Sequence, residues 1–388
     1  MKPLYFIFIF IVYSLFCFYI ALRGWQLLPN VKVLKIAYIV VMILLAYGYV
    51  LGTMFHRYIP TGLMGKIGET ISSTWLIAVI YLLLAVVFFD LIRLLNYRLH
   101  FLPEITLLAR RITALAVLCG ISGLFISGYY RFMHPAIEKI TIPVNNEHAP
   151  TNSLKIVVVS DLHLGSVLGK NHARRYVNLI NAQEPDIVFI VGDMTNGHLK
   201  PLIEQRMAED MLQLKAPLGV YAVLGNHEYI GGDMSAMVEF YNSCNIRCLR
   251  DDFCEIDNAF ILIGRDDRSN RHRLPLEKLC EQIKNEKNLP LVLLDHQPFQ
   301  LEEAVKNNIA LMLSGHTHDG QIFPISLIVR SMYEVAHGYK QKGNSHFYVS
   351  SGLGIWGAPF RIGTQSEMAV VLWKVEQAMK QTEKRKKE

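Results

Sequence analysis

The sequence predicts an α/β fold, a layered domain of buried strands alternating with helices, carried behind four membrane-spanning helices. Three observations lead there. The first third holds four long apolar tracts. The remainder alternates short β-branched apolar runs with helically spaced segments. Polar residues of one chemical kind follow directly on five of those runs.

The chain of 388 residues is 52% hydrophobic and 19% charged, against about 25% charged for an average soluble domain. The apolar excess lies in residues 4–22, 36–55, 75–95 and 112–130. A bilayer core of ~30 Å takes about 20 such residues as a helix, and a helix satisfies its own backbone polar groups, as lipid requires. Residues 1–130 therefore read as a four-helix transmembrane region. The uncharged stretch 4–22 has no small-x-small cleavage site after it and three more spans follow, so it reads as a retained anchor. Asp90 and Arg93, near the end of the third span, are expected to snorkel to the interface. Gly48 and Gly52 form one GxxxG, a helix-packing signal.

Four spans leave both termini on one side. Near the spans, Arg23, Lys32, Lys35, Arg93, Arg98, Arg110 and Arg111 face away from the C-terminal domain. Lys2, Arg57, Lys66, Arg131 and Lys139 share its side. Positive charge favours the cytoplasm, so the count predicts an extracytoplasmic domain. The basic tail, 377–388 ending KRKKE, reads either as a partner for an anionic leaflet or as a solvated end. The six cysteines permit disulfides outside the cytoplasm; free, half-buried thiols are the plainer reading, and Cys244 and Cys248 lack the second pair a zinc site wants. Net charge is +6 with no basic-aromatic stripe, so no nucleic acid is expected.

Residues 131–153 read as a linker or lead-in strand, and 154–376 as the α/β domain. KIVVVS (155–160), DIVFIVG (186–192), VYAVLG (220–225), AFILIG (259–264), LVLLDH (291–296), IALMLSG (309–315), HFYVSSG and MAVVLWKV are expected strands. Continuous apolar strands indicate sheets covered on both faces. Between them, 171–183, 200–215, 233–244 and 274–287 have helical spacing.

The strand ends carry the chemistry: Asp161 and His163, then Asp193, then Asn226, His227 and Glu228, then His296, then His316 and His318. Loops beyond the carboxyl ends of α/β strands converge on one crevice. Each residue alone has a plain role as a turn former, a cap or a hydrogen-bonded imidazole; five such strand ends together point to a metal site. Carboxylate, imidazole and amide donors without thiolate suit Mn, Fe, Zn or Mg. The donors are too many for one tetrahedral zinc with an open position, and suit two ions about 3.5–4 Å apart sharing a carboxylate, a clamp for a phosphoryl group.

In order and spacing, DLH, GD, GNHE, HQP and GHTH resemble the calcineurin-like metallophosphoesterase superfamily. GHTHDGQI followed by SSGLG further resembles its membrane-linked bacterial YkuE-like branch, and the multi-span N-terminus resembles transmembrane proteins with a metallophosphoesterase domain. The resemblance implies a four-layer αββα sandwich. It implies Asp161, His163 and His318 on a first metal, Asn226, His296 and His316 on a second, and Asp193 bridging. His227 would protonate the leaving group or steady the transition state, with Glu228 orienting it. Asp295 before His296, and Asp319 where glycine is common, are departures: Asp295 reads as a partner to the ligands or a strand end, Asp319 as narrowing the entrance.

The expected activity is hydrolysis of phosphate esters or pyrophosphates by a hydroxide between two metals, in a multi-pass plasma (inner) membrane protein. The anchor favours a lipid-linked substrate, and some relatives cut the pyrophosphate of UDP-2,3-diacylglucosamine. Arg265, Arg268, Arg271 and Arg273 read as a phosphate grip or a solvated loop. A non-catalytic metal-binding scaffold for membrane partners is the rival reading. A transporter would need polar residues mid-membrane, which the spans lack.

Overall fold

The computed structural model describes residues 2–54, 62–144 and 153–375. Arg57, the NNEHAPTN stretch of the expected linker (145–152) and the basic tail lie outside the described residues. The chain divides into two compact units, residues 1–128 with 357–359, and 129–356 with 360–388.

The first unit is helical. α1 is Lys2–Trp25, α2 Lys32–Met54, α3 Leu63–Leu99 and α4 Leu107–Met133. Among the described residues, three helices are long and apolar enough to cross a membrane: Leu4–Trp25, Leu63–Leu99 and Leu107–Met133. α1, α2 and α3 pack through Cys17, Ile20, Ala46, Trp75 and Val79. Gly48 allows the α2–α3 approach, since a Cβ there would lie 3.0 Å from Ser72 Oγ. Asp90 and Arg93, expected at the membrane interface, pair with each other within the helical unit. Asp90 bridges Arg93 at 3.0 Å and Arg23 of α1 at 2.5 Å, and Tyr19 donates to it. An acid with two cations costs less half-buried than an unpaired charge.

The second unit contains two six-stranded sheets. The first runs β1 (Ala136–Val144), β12 (Glu367–Val375), β2 (Ser153–Val159), β3 (Ile187–Val191), β4 (Val220–Val223) and β5 (Ile246–Cys248). The second runs β10 (Gly338–Lys342), β11 (Ser345–Val349), β9 (Ile309–Ser314), β8 (Leu291–Leu294), β7 (Phe260–Gly264) and β6 (Asp252–Ile256). β2 to β5 are mutually parallel, as are β7, β8, β9 and β11. Side chains alternate faces along a strand, and the burial follows. Val157, Val159, Val188 and Ile190 pack on Tyr176 and Val177 of α5 (Lys170–Asn181), and on Met237 and Phe240 of α9 (Met234–Ser243). Their neighbours Ile156, Val158, Ile187 and Phe189 meet Phe260, Leu262, Val292 and Leu313 of the other sheet. Ile263, Leu293 and Met312 turn outward to Leu279 of α10 (Leu276–Glu281) and Leu301 of α11 (Leu301–Lys306). β1 pairs with β12 along all nine residues, so 136–144 is an edge strand.

Two expected helices are shorter. Residues 200–215 form α6 (Lys200–Glu204) and α7 (Ala208–Met211), broken where Arg206 takes φ 53°. The expected helix 274–287 ends at Glu281, because the Asn285 side chain bonds both N and O of Leu289 and closes a turn instead. All six cysteines are free.

Candidate metal centre

β2, β3, β4, β8 and β9 all deliver their candidate residues from their carboxyl ends. Asp161 and His163 follow β2, Asp193 follows β3, and Asn226 opens α8 (Asn226–Gly231) after β4. His296 follows β8, while His316 and His318 follow β9. Asp161, His163, Asp193, His316 and His318 all have φ between 46° and 71°. A left-handed residue other than glycine costs roughly 1–2 kcal/mol, and such strain collects where surrounding structure holds a functional geometry.

The side chains meet. Asp161, His163 and His318 offer donor atoms within 4.8 Å of one another, as do Asp193, His296 and His316, and His163, Asp193 and His227. His318 Nε2 lies 3.0 Å from His163 Nε2 and 3.3 Å from Asp161 Oδ1. Asp193 Oδ2 faces both sides, 3.2 Å from His296 Nε2 and 3.8 Å from His163 Nε2. Asn226 Oδ1 is 2.7 Å from His316 Nδ1.

These atoms fit cations. His296 Nδ1 lies 2.8 Å from Val191 O and so carries the proton it donates. Nε2 is buried and, among the described residues, without a hydrogen bond, facing the Asp193 carboxylate; in the neutral ring it is the lone pair open to a cation. Burial holds the other imidazoles neutral, as ligation requires. It pushes His163 down to about 3 and His316 to about 4, and also lowers His318 and His227. Burial opposes charge on His296 too, but the adjacent Asp193 carboxylate raises it overall. Asp161 is pushed up to about 6 by burial, although Ser160 Oγ at 2.5 Å and the His316 N–H support its charge.

Glycine makes room for the carboxylates. A Cβ on Gly225 would sit 2.2 Å from Asp193 Oδ1 and 2.6 Å from its nitrogen. Gly225→Ala is therefore expected to weaken metal binding about 10–100-fold without touching a ligand, the range seen for groups that orient ligands. Competition with a fluorescent chelator measures it.

The expected orientation of His227 by Glu228 is corrected. The Glu228 carboxylate accepts from the backbone N–H groups of Asp193 (3.0 Å), Thr195 (2.9 Å) and Gly225 (2.7 Å), and from Tyr241 OH (3.2 Å). It ties the β3 loop to the start of α8, where an acid at the third helical position caps the free N–H groups. His227 is instead placed by its own N–H on Asp193 Oδ1 at 2.8 Å.

The departures also resolve. Asp295 is buried between Arg265 and Arg273, each 3.2 Å away. Those two arginines are therefore occupied beneath His296, and Arg268 stacks over Phe299 at 4.6 Å. Asp319 does not project as an entrance residue: it is buried and takes both Arg330 nitrogens at 2.7 and 2.6 Å, fastening α12 (Ile325–Met332) to the His318 turn. One residue had no sequence signal. Arg361, fully buried, donates to the carbonyls of His318 (2.8 Å), Ser351 (2.6 Å), Gly352 (3.0 Å) and Gly354 (2.7 Å). No motif flanks it, and its partners come from two separate loops.

The sequence model of the calcineurin-like phosphoesterase family matches residues 154–320. The chain is 32% identical over 277 residues to an uncharacterized metallophosphoesterase of Helicobacter pylori J99, covering 70% of this chain and 73% of that protein. It is 33% identical over 242 residues to an uncharacterized metallophosphoesterase of Aquifex aeolicus, covering 61% and 90%. It is also 32% identical over 255 residues to a transmembrane protein with metallophosphoesterase domain from Danio rerio, covering 62% of this chain. The match spans 57% of that vertebrate relative's length.

Proposed function

The chain belongs to the calcineurin-like phosphoesterases, metal-dependent hydrolases, and from that membership we propose that it is a membrane-anchored two-metal enzyme cutting phosphate ester or pyrophosphate bonds of a lipid-linked substrate. In this reading four helices span the membrane and the phosphoesterase domain is a four-layer αββα sandwich, supported by the helices α1–α4 and by the three apolar clusters of the sheets. The observation that carries the proposal is Asp193 Oδ2, which faces a donor atom of each ligand group.

Asp161, His163 and His318 would hold one ion, Asn226, His296 and His316 the other, with Asp193 between them. The donors suit Mn, Fe, Zn or Mg. Two such ions supply a water of lowered pKa and a clamp for the phosphoryl oxygens. His227, beside His163 at 4.5 Å between ring centroids, would hydrogen-bond the phosphoryl or leaving-group oxygen and carry a proton to it. Glu228, Arg361 and Asp295 would act through the groups they hold.

The test uses full-length protein in detergent, stripped and reloaded with Mn, against a phosphate monoester, a phosphodiester and UDP-2,3-diacylglucosamine. Turnover of one class, dependent on Mn, is expected. Binding of two Mn ions with no turnover of any class would favour the scaffold reading. His227→Ala is expected to lower kcat about 10²–10⁴-fold with the bound metal unchanged by elemental analysis. Loss of an ion instead would make His227 a ligand, as its proximity to His163 and Asp193 also allows.

A further inference from the structure

We propose that the exposed apolar face of α12, together with Phe323 and Trp356, docks the phosphoesterase domain on a phospholipid bilayer. On α12 apolar side chains stand exposed beside Arg330 and Ser331. Ser326 is buried, while Leu327, Ile328 and Met332 are 57%, 60% and 66% exposed. Phe323 is 49% and Trp356 51% exposed. The Gln321 side chain joins the two aromatics' segments, bonding both N and O of Trp356 at 3.0 and 2.9 Å. Single exposed apolar residues are ordinary; several on one short helix, with two aromatics beside it, mark an interaction surface.

A bilayer is the occupant that the chain itself supplies. Among the described residues of the same polypeptide, three helices are long and apolar enough to cross one, and β1 begins three residues after the last of them ends. Aliphatic side chains with Trp and Phe, edged by the half-exposed Arg330, have the composition of an interfacial helix. The surface is also linked to the chemistry. Arg330 grips Asp319, the residue after His318, so α12 is tied to the turn that carries this candidate ligand. A lipid whose acyl chains rest by α12 would then present its headgroup phosphate near the ligands. This inference rests on the membrane anchoring and lipid-linked substrate proposed above, and it assigns where that lipid meets the domain.

The experiment places an environment-sensitive fluorophore on Ile328→Cys in full-length protein. The protein is reconstituted in nanodiscs of phosphatidylcholine and phosphatidylglycerol, with and without doxyl-labelled lipid. Ile203→Cys on α6, 61% exposed, is the control. The proposal expects blue-shifted emission and quenching by doxyl lipid at 328 and neither at 203. A label at 328 that stays solvated and unquenched, like the control, overturns it; so does a label that is shielded yet unquenched, which would indicate a protein partner. Quenching needs neither metal nor turnover. A quenched label in an enzyme inactive on every lipid tested would therefore sink the lipid substrate and leave the docking surface standing; an active enzyme with an unquenched label would do the reverse.

Discussion

Asp193→Asn is expected to release metal and to lower kcat by more than about a thousandfold. Its Oδ2 is the oxygen that faces His296 on one side and His163 on the other, while Oδ1 receives the His227 N–H. An amide removes the charge that would offset two cations and presents an N–H₂ or a single oxygen where two acceptors are in use. The rate effect follows from what the ions do to water. Its pKa falls from 15.7 to about 7 on a metal, a difference of roughly eight decades in hydroxide at neutral pH. Losing even part of that advantage exceeds what residual binding can restore. Elemental analysis should fall from about two ions per chain to one or none, in step with activity. A variant carrying Asp193→Asn that keeps both ions and turns over normally would remove Asp193 from the bridging position.

Glu228→Ala is expected to be the most destabilising change in the site although Glu228 binds no metal in the proposed scheme. Three buried N–H groups and one phenol lose their acceptor together. Each unsatisfied buried donor costs about 1–3 kcal/mol. Part of this is offset, because burial beside Asp193 already disfavours the charged carboxylate and pushes its pKa up to about 7. The net expectation is about 3–5 kcal/mol, which for a domain of this size lowers Tm by roughly 10 °C. Glu228→Gln keeps an acceptor oxygen and should fall between. Thermal unfolding in detergent with metal removed separates this from metal loss. An Ala variant as stable as the parent would mean that the β3 and α8 loops are held elsewhere.

The candidate site was legible because its proposed ligands lie directly after strands. Periodicity finds KIVVVS, DIVFIV, VYAVLG, LVLLD and IALMLSG, and each candidate ligand is within a few residues of a strand end. Within each sheet the convergence of those ends follows from parallel order; the meeting of ends from the two sheets comes from their packing on each other. Positions fixed by other segments were not legible. Arg361 gains its role from carbonyls at 318 and 351–354, and nothing near it in sequence predicts that meeting. The roles of Asp295 and Asp319 depended on Arg265, Arg273 and Arg330, which pair with them because an unpaired buried carboxylate is costly. β1 was hard to see because an edge strand buries little: three of its first four residues are exposed, so it lacks the apolar run that marks its neighbours.

By itself, the sequence determined the class of the protein: apolar tracts long enough for a bilayer, an α/β domain, and a nitrogen-oxygen donor set without thiolate. These follow from local properties, namely side-chain polarity and its period along the chain, which are read without knowing what any residue touches. The tertiary structure decided which atoms face each other. It set Asp193 Oδ2 between two imidazoles, turned Glu228 from His227 to three backbone N–H groups, buried Asp319 against Arg330, and left the apolar face of α12 uncovered. Those outcomes depend on contacts between residues far apart in the chain, and on the cost of leaving a buried polar group unpaired, a cost that exists only once the chain has closed around it.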